Sequence, residues 1–572
     1  MDLKEEIKKF FKGDVDVSPQ ALEKYSHDAS LFEVRPKVVV FPRDAEDIKN
    51  LVKWVNETSP RADLGEGKLS ITARAAGTCM AGGPLGESII LDTTRYMHKI
   101  LHIEKYNKEH VYKMHPAFVG ASDINISGEA TVEPGCFYRD FEKVTLEHDL
   151  LLPCYTASKS INAVGGMVGN NSGGELTLKY GKTEDYVAEL KAVFSDGNEY
   201  TIHPLTRHEL DLKMAQNDFE GEIYKNLFSL IQKNEDEIKN AKPKVTKNSA
   251  GYTLWNVWDE KTQTFDLPKL IVGSQGTLAI TTQITFRLVE PLKNSALFVI
   301  FMYSLDSLGN IVNDALSASP ESIEAYDDKT IKLAVRFWYG FIKKRGLWGA
   351  IKLGISFLPE LGMMFKGMPK LVILVNCAGR DKEEVKNKID SLGKLFQKYK
   401  NIKTRKVFSA AEADKYWTIR RDSFALLREH FQNKRTAPFV DDVVVPVSML
   451  PKFLPKLTEI LDRNKLIYNM HGHAASGNFH IIPLLTAGDS LNKELIMKVS
   501  DEVYTLVLDM HGSITAEHND GIIRTPFLLQ MYGQKIIDIF EQIKNIFDPK
   551  NIFNPGKKVG GSKEYIKSHL AQ

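Results

Sequence analysis

Side chains that can bind a metal ion or accept a proton lie close together in two short segments near the C-terminal end. HGHAASGNFH contains three histidines around a Gly-Asn turn, and SITAEHNDG contains an adjacent Glu-His pair; these residues are His471, His473, His480, Glu517 and His518. If a strand lies on each side of the turn, His473 and His480 face one ion. Imidazoles with a carboxylate suit zinc, manganese, iron or cobalt. We therefore expect a divalent metal site, whereas His511 fits an ordinary structural histidine.

A guanidinium that can hold an anionic substrate precedes these segments. KYWTIRRDSFALLREH predicts a helix that carries Arg420 beside Trp417 and Phe424. If this helix faces the metal site, the guanidinium can donate two parallel hydrogen bonds to a carboxylate. Arginine on a helix more often lies in solvent, where an ion pair contributes little. The sequence leaves both interpretations open.

Two glycine-rich segments predict backbone that lies close to a ligand. They are RAAGTCMAGGPLG, residues 74–86, and AVGGMVGNNSGGE, residues 163–175. Glycine permits tight turns without side-chain bulk, and amides in such loops bind phosphate or a planar heterocycle. The first segment lacks the features of a P-loop or a Rossmann site, so it does not predict a nucleoside triphosphate or NAD. We expect the second segment to form neither an ordinary helix nor a strand; a structural turn cluster is the alternative.

Strand and helix patterns that would support these loops fill the first half of the chain. PKVVVFPRDAEDIKNLVKWV predicts a strand followed by an amphipathic helix, and SIILDTTR predicts a second strand. YVAELKAVFSDGNEY predicts a hairpin with an Asp-Gly turn, and LPKLIVGSQGTLAITTQITFRLVEP predicts a strand pair. The chain therefore opens with an α/β unit.

The second half predicts a separate arrangement of strands and helices. NSALFVIFMYS and LVILVNCAG predict strands, and EEVKNKIDSLGKLFQKY predicts a helix, which together indicate an α+β domain. IKNIFDPKNIFNPGKKV predicts a helix that ends at Asp548, followed by a Pro-Gly turn.

Composition excludes several classes of protein. The 572 residues contain 75 Lys and Arg against 73 Asp and Glu, a balance that argues against nucleic acid as the partner. Cys79, Cys136, Cys154 and Cys377 are scattered, which excludes thiolate iron–sulfur and zinc-ribbon spacings. The N-terminus shows no apolar signal region, and no run reaches about 18 uninterrupted apolar residues. We expect a cytoplasmic protein without a spanning helix.

The stretch 336–370 differs from its surroundings. It contains seven basic side chains against one acid, Glu360, together with several large aromatic side chains. Such a mixture is typical of contact with an anionic membrane surface, which suggests a peripheral position on the inner face of the membrane. A basic helical hairpin packed on the second domain is the alternative.

The ordered motifs resemble one family over nearly the whole chain, from about Tyr25 to Val559. RAAGTCMAGGPLG, VGGMVGNNSGG, LKYGKTEDYV, NSAGYTLWN, VGSQGTLAITTQITFRL, GHAASGNFH, AEHNDG and FNPGK are similar to motifs of the FAD-linked D-2-hydroxyacid dehydrogenases. These belong to the vanillyl-alcohol oxidase and p-cresol methylhydroxylase superfamily. The resemblance implies an α+β fold, in which a two-subdomain FAD-binding domain is joined to an α+β cap domain with an antiparallel sheet. We expect a lead-in at 1–30, the FAD-binding domain at 31–292, the cap at 293–530 and a returning tail at 531–572.

The resemblance also implies which residues bind the cofactor. Covalent members often attach the flavin through a histidine of the first loop, and this loop has none, so noncovalent FAD is expected. The implied contacts are Arg74, Ala75, Ala76, Gly77, Thr78, Cys79, Gly82, Gly83, Pro134, Gly135, Thr156, Ser158, Gly165, Gly166, Gly169, Asn170, Asn171, Ser172, Gly173, Gly276, Ile280 and Asn554.

In metal-dependent members, the matching motifs hold a divalent metal and a catalytic base. Carried over by position, the ligands are His473, His480 and Glu517, with zinc, manganese or iron as the metal. His518 would take the substrate hydroxyl proton, and Arg420 would hold the substrate carboxylate. Two positions depart from the family pattern: Ser476 replaces an aspartate, and Asn519 replaces the glycine after the Glu-His pair.

The activity implied is oxidation of a D-2-hydroxyacid to the 2-oxoacid, with D-lactate as the first expectation. Glycolate and D-2-hydroxyglutarate are alternative substrates, and an oxygen-using oxidase or a flavin-binding subunit without activity is an alternative function. The α-hydrogen would pass to the flavin as hydride, with a stepwise carbanion route left open. Because the chain has no cluster cysteines, the electrons would leave to a separate iron–sulfur subunit, a quinone or a cytochrome.

Overall fold

The N-terminal part of the chain folds around a small mixed sheet. The structure is a computed structural model that describes residues 2–58, 68–114, 123–336, 367–430, 434–486, 488–489 and 492–571. In order across the sheet, the strands are Asp14–Asp16, Val38–Phe41, Ile89–Asp92 and Ile71–Arg74, and the accompanying helices are Leu3–Lys8, Pro19–Tyr25 and Ala45–Thr58. The Ala45–Thr58 helix packs on the sheet through Ile48, Leu51, Val52 and Val55, as its spacing predicts.

A five-stranded antiparallel sheet follows. Its strands in spatial order are Glu199–Ile202, Val187–Val193, Ile280–Leu288, Gly128–Val132 and Ile100–Lys105. Two small sheets pair Tyr112–Met114 with Ile124–Ile126, and Thr264–Phe265 with both Leu205–Thr206 and Trp258–Asp259. The helices of this part are Tyr138–Glu147, Val164–Asn170, Thr177–Tyr180, Thr183–Tyr186, Arg207–Met214, Phe219–Lys233, Glu235–Ala241 and Pro268–Ile271, with a 3₁₀ turn at Leu254–Asn256.

The predicted hairpin is confirmed, but the predicted strand pair is wrong. Val187–Val193 and Glu199–Ile202 pair antiparallel around the Asp-Gly turn. In the second segment, Pro268–Ile271 is a helical turn, and only Ile280–Leu288 is a strand. Proline at the first helical position favours that helix start, because its φ is already helical and its missing N–H is not needed there.

The second glycine-rich segment contains a short helix, contrary to expectation. Val164–Asn170 is helical, and its apolar residues Val164, Met167 and Val168 are buried together. Their spacing of three and four residues gives a helix one apolar stripe, which leaves the glycines on the remaining surface. The sequence therefore carried a helical period that the glycine content concealed.

The second half of the chain is built on an eight-stranded antiparallel sheet, which we call the cap sheet. Its strands in spatial order are Ile402–Val407, Asn294–Met302, Leu371–Gly379, Ser322–Asp327, Ile467–His473, Asn478–Thr486 and Lys434–Thr436, with Val443–Val444 also paired to Asn478–Thr486. Its helices are Leu308–Leu316, Asp328–Arg336, Lys382–Leu395, Ala410–His430, Leu450–Arg463 and Asn492–Asp509, with 3₁₀ turns at Phe396–Lys398, Val447–Met449 and Ala474–Ser476. The α+β fold with an antiparallel cap sheet is confirmed.

The two faces of the cap sheet are covered differently. Phe298, Ile300 and Ile373 lie on the face that joins the main core, beneath the helices Leu308–Leu316 and Lys382–Leu395. Val299 and Leu374 lie on the opposite face, where Tyr416 and Ile419 of the Ala410–His430 helix pack against them. Neighbouring strand residues point to opposite faces, so every second residue is available to the second face.

The C-terminal segment returns to the first half of the chain. It contains Gly521–Arg524, the 3₁₀ turn Thr525–Phe527, and the helices Leu528–Tyr532, Gln534–Phe547 and Lys563–Ser568. The Gln534–Phe547 helix ends at Asp548 as predicted, and the Asp548 carboxylate accepts hydrogen bonds from the amides of Ile552 and Phe553. Asn554 then accepts a hydrogen bond from Thr72 and donates to the carbonyls of Gly83 and Gln275.

The domain limits and the role of the basic aromatic stretch stay predictions. Residues 337–366 of that stretch lie outside the described residues. Among the residues that the structure describes, no helix combines the length and the apolar character that a membrane crossing requires.

Replacing Asn554 with alanine should destabilise the protein and weaken flavin retention. The change removes three buried hydrogen bonds and leaves the Gly83 and Gln275 carbonyls without this donor. The expected loss is about 2 kcal/mol or more in the free energy of unfolding. Equilibrium urea unfolding of Asn554→Ala measures this loss in the free energy of unfolding. The control is Asn401→Ala, at an exposed asparagine. Equal stability of the two variants would contradict the prediction.

Candidate active site

Two of the predicted metal ligands lie on adjacent strands of the cap sheet. Ile467–His473 and Asn478–Thr486 pair antiparallel, with His471 opposite His480 and His473 opposite Asn478. The strands on either side of the turn are thus confirmed. Gly477 makes the turn with a φ of 68°, and a Cβ there would lie 1.9 Å from the carbonyl oxygen of Val445. Glycine is therefore required for the close approach that brings the strands together.

The third predicted ligand, Glu517, faces both histidines. Its Oε2 lies 3.4 Å from Nε2 of His473 and 3.8 Å from Nε2 of His480. Zinc and similar metals bind imidazole nitrogen and carboxylate oxygen at about 2.0–2.2 Å, so one ion can bridge groups at these separations. The structure brings His473, His480 and Glu517 together around one carboxylate oxygen.

A second group of possible ligands overlaps the first. The ligand atoms of Asp442, His480, Glu517 and His518 lie within 4.8 Å of one another. Asp442 Oδ2, however, already accepts hydrogen bonds from the Thr515 hydroxyl and from the amides of Ala516, Glu517 and His518, at 2.6–2.9 Å. Because this oxygen is saturated and Oδ1 accepts from the Asn478 side chain, Asp442 fixes the loop, and His473 stays the predicted third ligand.

Asp441 contacts the histidines on the side away from Glu517. Its Oδ1 accepts a hydrogen bond from Nδ1 of His480 at 3.2 Å, and its Oδ2 lies 2.7 Å from Nδ1 of His518. A carboxylate at Nδ1 holds the proton there and leaves Nε2 free to act. His518 is about a quarter exposed, so it is open to a substrate.

The acidic pair makes His518 a strong base in the metal-free protein. Burial alone would lower the pKa of His518, but the Asp441 and Asp442 carboxylates outweigh it and raise that pKa to about 9. Burial would likewise raise the pKa of Asp441, yet His518 and His480 hold it well below its usual range. Asp441 therefore stays ionised beside a protonated His518.

Glu324 joins the predicted carboxylate clamp to the predicted metal site. It lies on the cap sheet, accepts a hydrogen bond from Nδ1 of His473 at 2.7 Å, and forms an ion pair with Arg420. Burial would raise the pKa of Glu324, but Arg420 and His473 lower it below its usual value. Arg420 is thus buried beside the site rather than exposed on its helix. Glu324 orients Arg420 and His473 together.

Buried groups of opposite charge offset one another in the site. Four buried carboxylates are accompanied by three permanent cations and by His518, which stays protonated; these groups are Glu324, Asp441, Asp442, Glu517, Arg420, Lys247 and Arg524. Burial would raise the pKa of Glu517, but Lys247 and His473 hold it far below the usual range.

The two other histidines differ in position. Burial, then His480 and Arg420, lower the pKa of His471 well below its ordinary value, so this residue is neutral. Its ring lies 5.4 Å from that of His480, on the same face of the cap sheet. His511 is exposed in the turn after the Asn492–Asp509 helix, consistent with a structural residue.

The glycine segments leave open space where a flat cofactor fits. A Cβ on Gly169 would meet no atom within 4 Å, and Cβ atoms on Gly166 and Gly276 would meet only the Cβ of Ala75 and of Ala73, each at 3.5 Å. In contrast, a Cβ on Gly135 would lie 2.2 Å from the Thr93 carbonyl oxygen, and one on Gly165 would lie 2.7 Å from that of Pro134. These glycines shape a cradle that side chains would fill, so the residues present fit FAD.

Several residues that the resemblance assigns to the cofactor use their side chains in other contacts. Their backbone is therefore the part available to the flavin. The Arg74 guanidinium donates to the carbonyls of Tyr25 and His27, and Asn554 is bound as described above. Thr156 and Ser158 hydrogen-bond each other, and Ile280 is buried in the core. Asn171 exchanges hydrogen bonds with Glu184.

Asn519, one of the two departures from the family pattern, connects the metal site to the glycine segment. Its φ of 67° is one that asparagine tolerates. Its side-chain amide donates to the carbonyls of Asn170 and Gly273. Gln275 adds a second link, because it accepts from the Gly521 amide and donates to the Asn170 side chain. The other departure, Ser476, is buried in the turn between the two histidine strands.

The sequence patterns did not identify Asp441, Asp442, Glu324, Lys247 or Arg524. The available signal for the first two was a pair of acids inside the apolar run FVDDVVVP. Glu324 lies in the fully buried strand Ser322–Asp327. A charged residue within a buried apolar strand is paired or functional, since unpaired burial is costly.

Replacing Asp442 with asparagine should weaken metal binding while the protein stays folded. An amide cannot accept from all the donors that now meet Asp442, so the loop carrying Glu517 loses its anchor. The expected loss of metal affinity is about 10- to 100-fold, as for other partners of metal ligands. Titration of the apoprotein with Mn²⁺, followed by EPR of the free ion, measures it. The exposed Asp509→Asn is the control, and equal affinities would contradict the prediction.

Two family models match the chain. The FAD binding domain matches residues 36–203, and the C-terminal domain of FAD linked oxidases matches residues 292–558. The second match contains the cap sheet and the candidate site, and the first contains both glycine-rich segments.

Curated relatives are similar to nearly the whole chain. It is 27% identical to a D-2-hydroxyglutarate dehydrogenase of Pantoea ananatis, over 96% of this chain and 50% of that protein. It is 24% identical to a D-lactate dehydrogenase of Archaeoglobus fulgidus over 91% of each chain. A glycolate oxidase subunit of Bacillus subtilis is also 24% identical, over 93% of this chain and 91% of that protein. The chain spans about half the length of the D-2-hydroxyglutarate dehydrogenases that it matches.

Solved structures share the fold. p-Cresol methylhydroxylase with substrate bound has a TM-score of 0.65 at 15% identity, covering 98% of this chain and 96% of that chain. Alkyldihydroxyacetonephosphate synthase has a TM-score of 0.62 at 14% identity, covering 97% and 84%. Identities this low show the fold alone. The two matched models identify the chain as a member of the FAD-linked oxidases, and its curated relatives are named D-2-hydroxyglutarate dehydrogenase, D-lactate dehydrogenase and glycolate oxidase subunit.

Proposed function

We propose that this protein is an FAD-dependent dehydrogenase that oxidises a D-2-hydroxyacid to the 2-oxoacid. The observation that carries the proposal is the meeting of His473, His480 and Glu517 at one carboxylate oxygen, with His518 beside them. The matched family domains and relatives support the FAD part. D-Lactate is the first candidate substrate, and glycolate and D-2-hydroxyglutarate are the alternatives that relatives' names suggest.

The residues divide the chemistry among them. His473, His480 and Glu517 would hold a divalent ion, which supplies a Lewis acid for the substrate oxygens when bound. His518 takes the hydroxyl proton at Nε2, because Asp441 occupies the Nδ1 side. A divalent ion held by these ligands would lower the pKa of His518 from about 9, so that its Nε2 could accept that proton.

The substrate carboxylate is assigned to Arg420. Arg420 is buried beside the candidate site and forms an ion pair with Glu324, and a guanidinium is suited to pair with a carboxylate. The pairing fixes the guanidinium plane before substrate arrives, which reduces the entropy lost on binding. FAD, held along the glycine segments, supplies the two-electron acceptor.

Two further proposals, on the electron acceptor and on the position in the cell, rest on the sequence. We assign the acceptor to a separate iron–sulfur subunit, quinone or cytochrome. A D-lactate dehydrogenase of Kluyveromyces lactis, 22% identical, bears the word cytochrome in its name. We propose that the stretch 336–370 contacts the membrane or this partner. We also propose that the enzyme is cytoplasmic.

A panel of D- and L-2-hydroxyacids tests the proposed activity directly. Under anaerobic conditions, and after metal analysis of the same sample, a D-enantiomer should bleach the flavin absorbance and the matching L-enantiomer should not. Admitting oxygen afterwards should give little hydrogen peroxide, as a dehydrogenase requires. Fast peroxide release would favour an oxidase, and no bleaching with any acid would reject the function.

His518→Ala should keep FAD and lose substrate-driven reduction of the flavin. The variant removes the proposed proton acceptor, whose contribution is typically about 10²- to 10⁴-fold. Stopped-flow absorbance during anaerobic mixing with the substrate measures the rate. The matched control is His511→Ala, at an exposed histidine outside the proposed ligand and base residues. Reduction at the parental rate in His518→Ala would exclude this role.

A further inference from the structure

Lys247 is a buried lysine whose ammonium group meets a proposed metal ligand. Its side chain is 1% exposed, and its Nζ lies 2.5 Å from Oε1 of Glu517. Lysine is seldom buried this completely unless it is paired, because removing its charge from water is expensive. Its position therefore has a reason that concerns Glu517.

The two oxygens of Glu517 have different partners. Oε1 accepts the hydrogen bond from Lys247, whereas Oε2 faces the Nε2 atoms of His473 and His480. One oxygen is thus taken by a fixed cation, and the other is presented to the ion site. A carboxylate bound in this way donates a single atom to a metal.

The backbone around Lys247 is held by both loops of the site. The Thr246 hydroxyl donates to the Ser476 carbonyl in the histidine turn. The Ser249 amide donates to the Thr515 carbonyl, and the Ser249 hydroxyl donates to the Ala516 carbonyl. Lys182 donates to the Asn248 carbonyl, to Ser249 and to Ala516. These bonds hold the backbone on both sides of Lys247 against the segments that contain Ser476 and Ala516.

We infer that Lys247 is a positioning residue that keeps Glu517 a one-oxygen ligand. This inference rests on the proposed metal site. A catalytic ion needs open coordination positions for its substrate. Two imidazoles and one carboxylate oxygen leave room for both the hydroxyl and the carboxylate oxygen of a 2-hydroxyacid. If Glu517 used both oxygens, it would take one of those positions and compete with the substrate.

Two opposite effects follow when the ammonium is removed. Lys247→Met frees the second oxygen of Glu517 and removes a positive charge, so metal affinity should rise. The same change closes a coordination position and makes the site more negative, so affinity for an anionic bidentate ligand should fall. A merely structural role would weaken both, which makes the opposed signs diagnostic.

The experiment uses the FAD-loaded full chain with Mn²⁺ as the probe metal and oxalate as the probe anion. Oxalate offers two oxygens as a 2-hydroxyacid does, and it carries no α-hydrogen, so it perturbs the flavin spectrum without reducing it. EPR of free Mn²⁺ gives metal affinity, and the spectral perturbation gives anion affinity. For Lys247→Met we expect about a tenfold rise in the first and at least about a tenfold fall in the second, the size typical of partners of metal ligands.

Matched variants separate the possible outcomes. Lys247→Arg keeps a cation and should restore both affinities towards the parental values. Lys244→Met changes an exposed lysine of the same segment and should change neither. Parallel losses, or no change, in Lys247→Met would overturn the inference. Failure of the parental protein to bind Mn²⁺ would instead reject the proposed metal site. If Lys247→Met does not fold, Lys247→Gln must show the opposed signs, or the inference is wrong.

Discussion

The carboxylate of Asp442 accepts four hydrogen bonds from the loop that carries Glu517 and His518, and the site depends on this interaction. The loop has no regular secondary structure, so its amides need acceptors from elsewhere. Asp442 supplies one charged acceptor for the Thr515 hydroxyl and three consecutive amides, while its other oxygen accepts from Asn478. Charge-assisted bonds of this kind are stronger than neutral ones. A single side chain thereby fixes the loop against a strand of the cap sheet.

The adjacent carboxylates of Asp441 and Asp442 contact different groups because the backbone changes direction between them. Asp442 has a φ of 70°, which turns its carboxylate towards the loop, while Asp441 faces His480 and His518. Asp442 therefore positions the backbone, whereas Asp441 raises the pKa of His518 and contacts Nδ1 of His480. The fully buried Arg524 donates to the carbonyls of Asp441 and Asn519, and its charge offsets that of the pair.

The sequence predicted the parts of the site that depend on local pattern. The strands around Gly477 and the Glu-His pair could be found because neighbouring residues carry the signal. The partners Glu324, Lys247 and Asp442 could not, since their contacts join residues 75 to 270 positions apart and nothing local specifies the partner. The choice of His473 with His480 came from the turn between their strands, and the family resemblance gave the same pair. The helix at Val164–Asn170 was missed because its glycines masked a regular apolar stripe.

The links between Asn519, Gln275 and Asn170 join the loop that carries Glu517 and His518 to the cradle formed by the glycine segments. Asn170 ends the helix that borders the cradle, and Asn519 follows the Glu-His pair directly. A ligand that orders either end of this connection reduces the entropy that the other ligand must remove on binding. Such coupling is reciprocal by thermodynamic necessity, so ligands at the two ends of the connection would favour each other equally. Asn519, where the family has glycine, thus adds hydrogen bonds that connect this loop to the glycine segments.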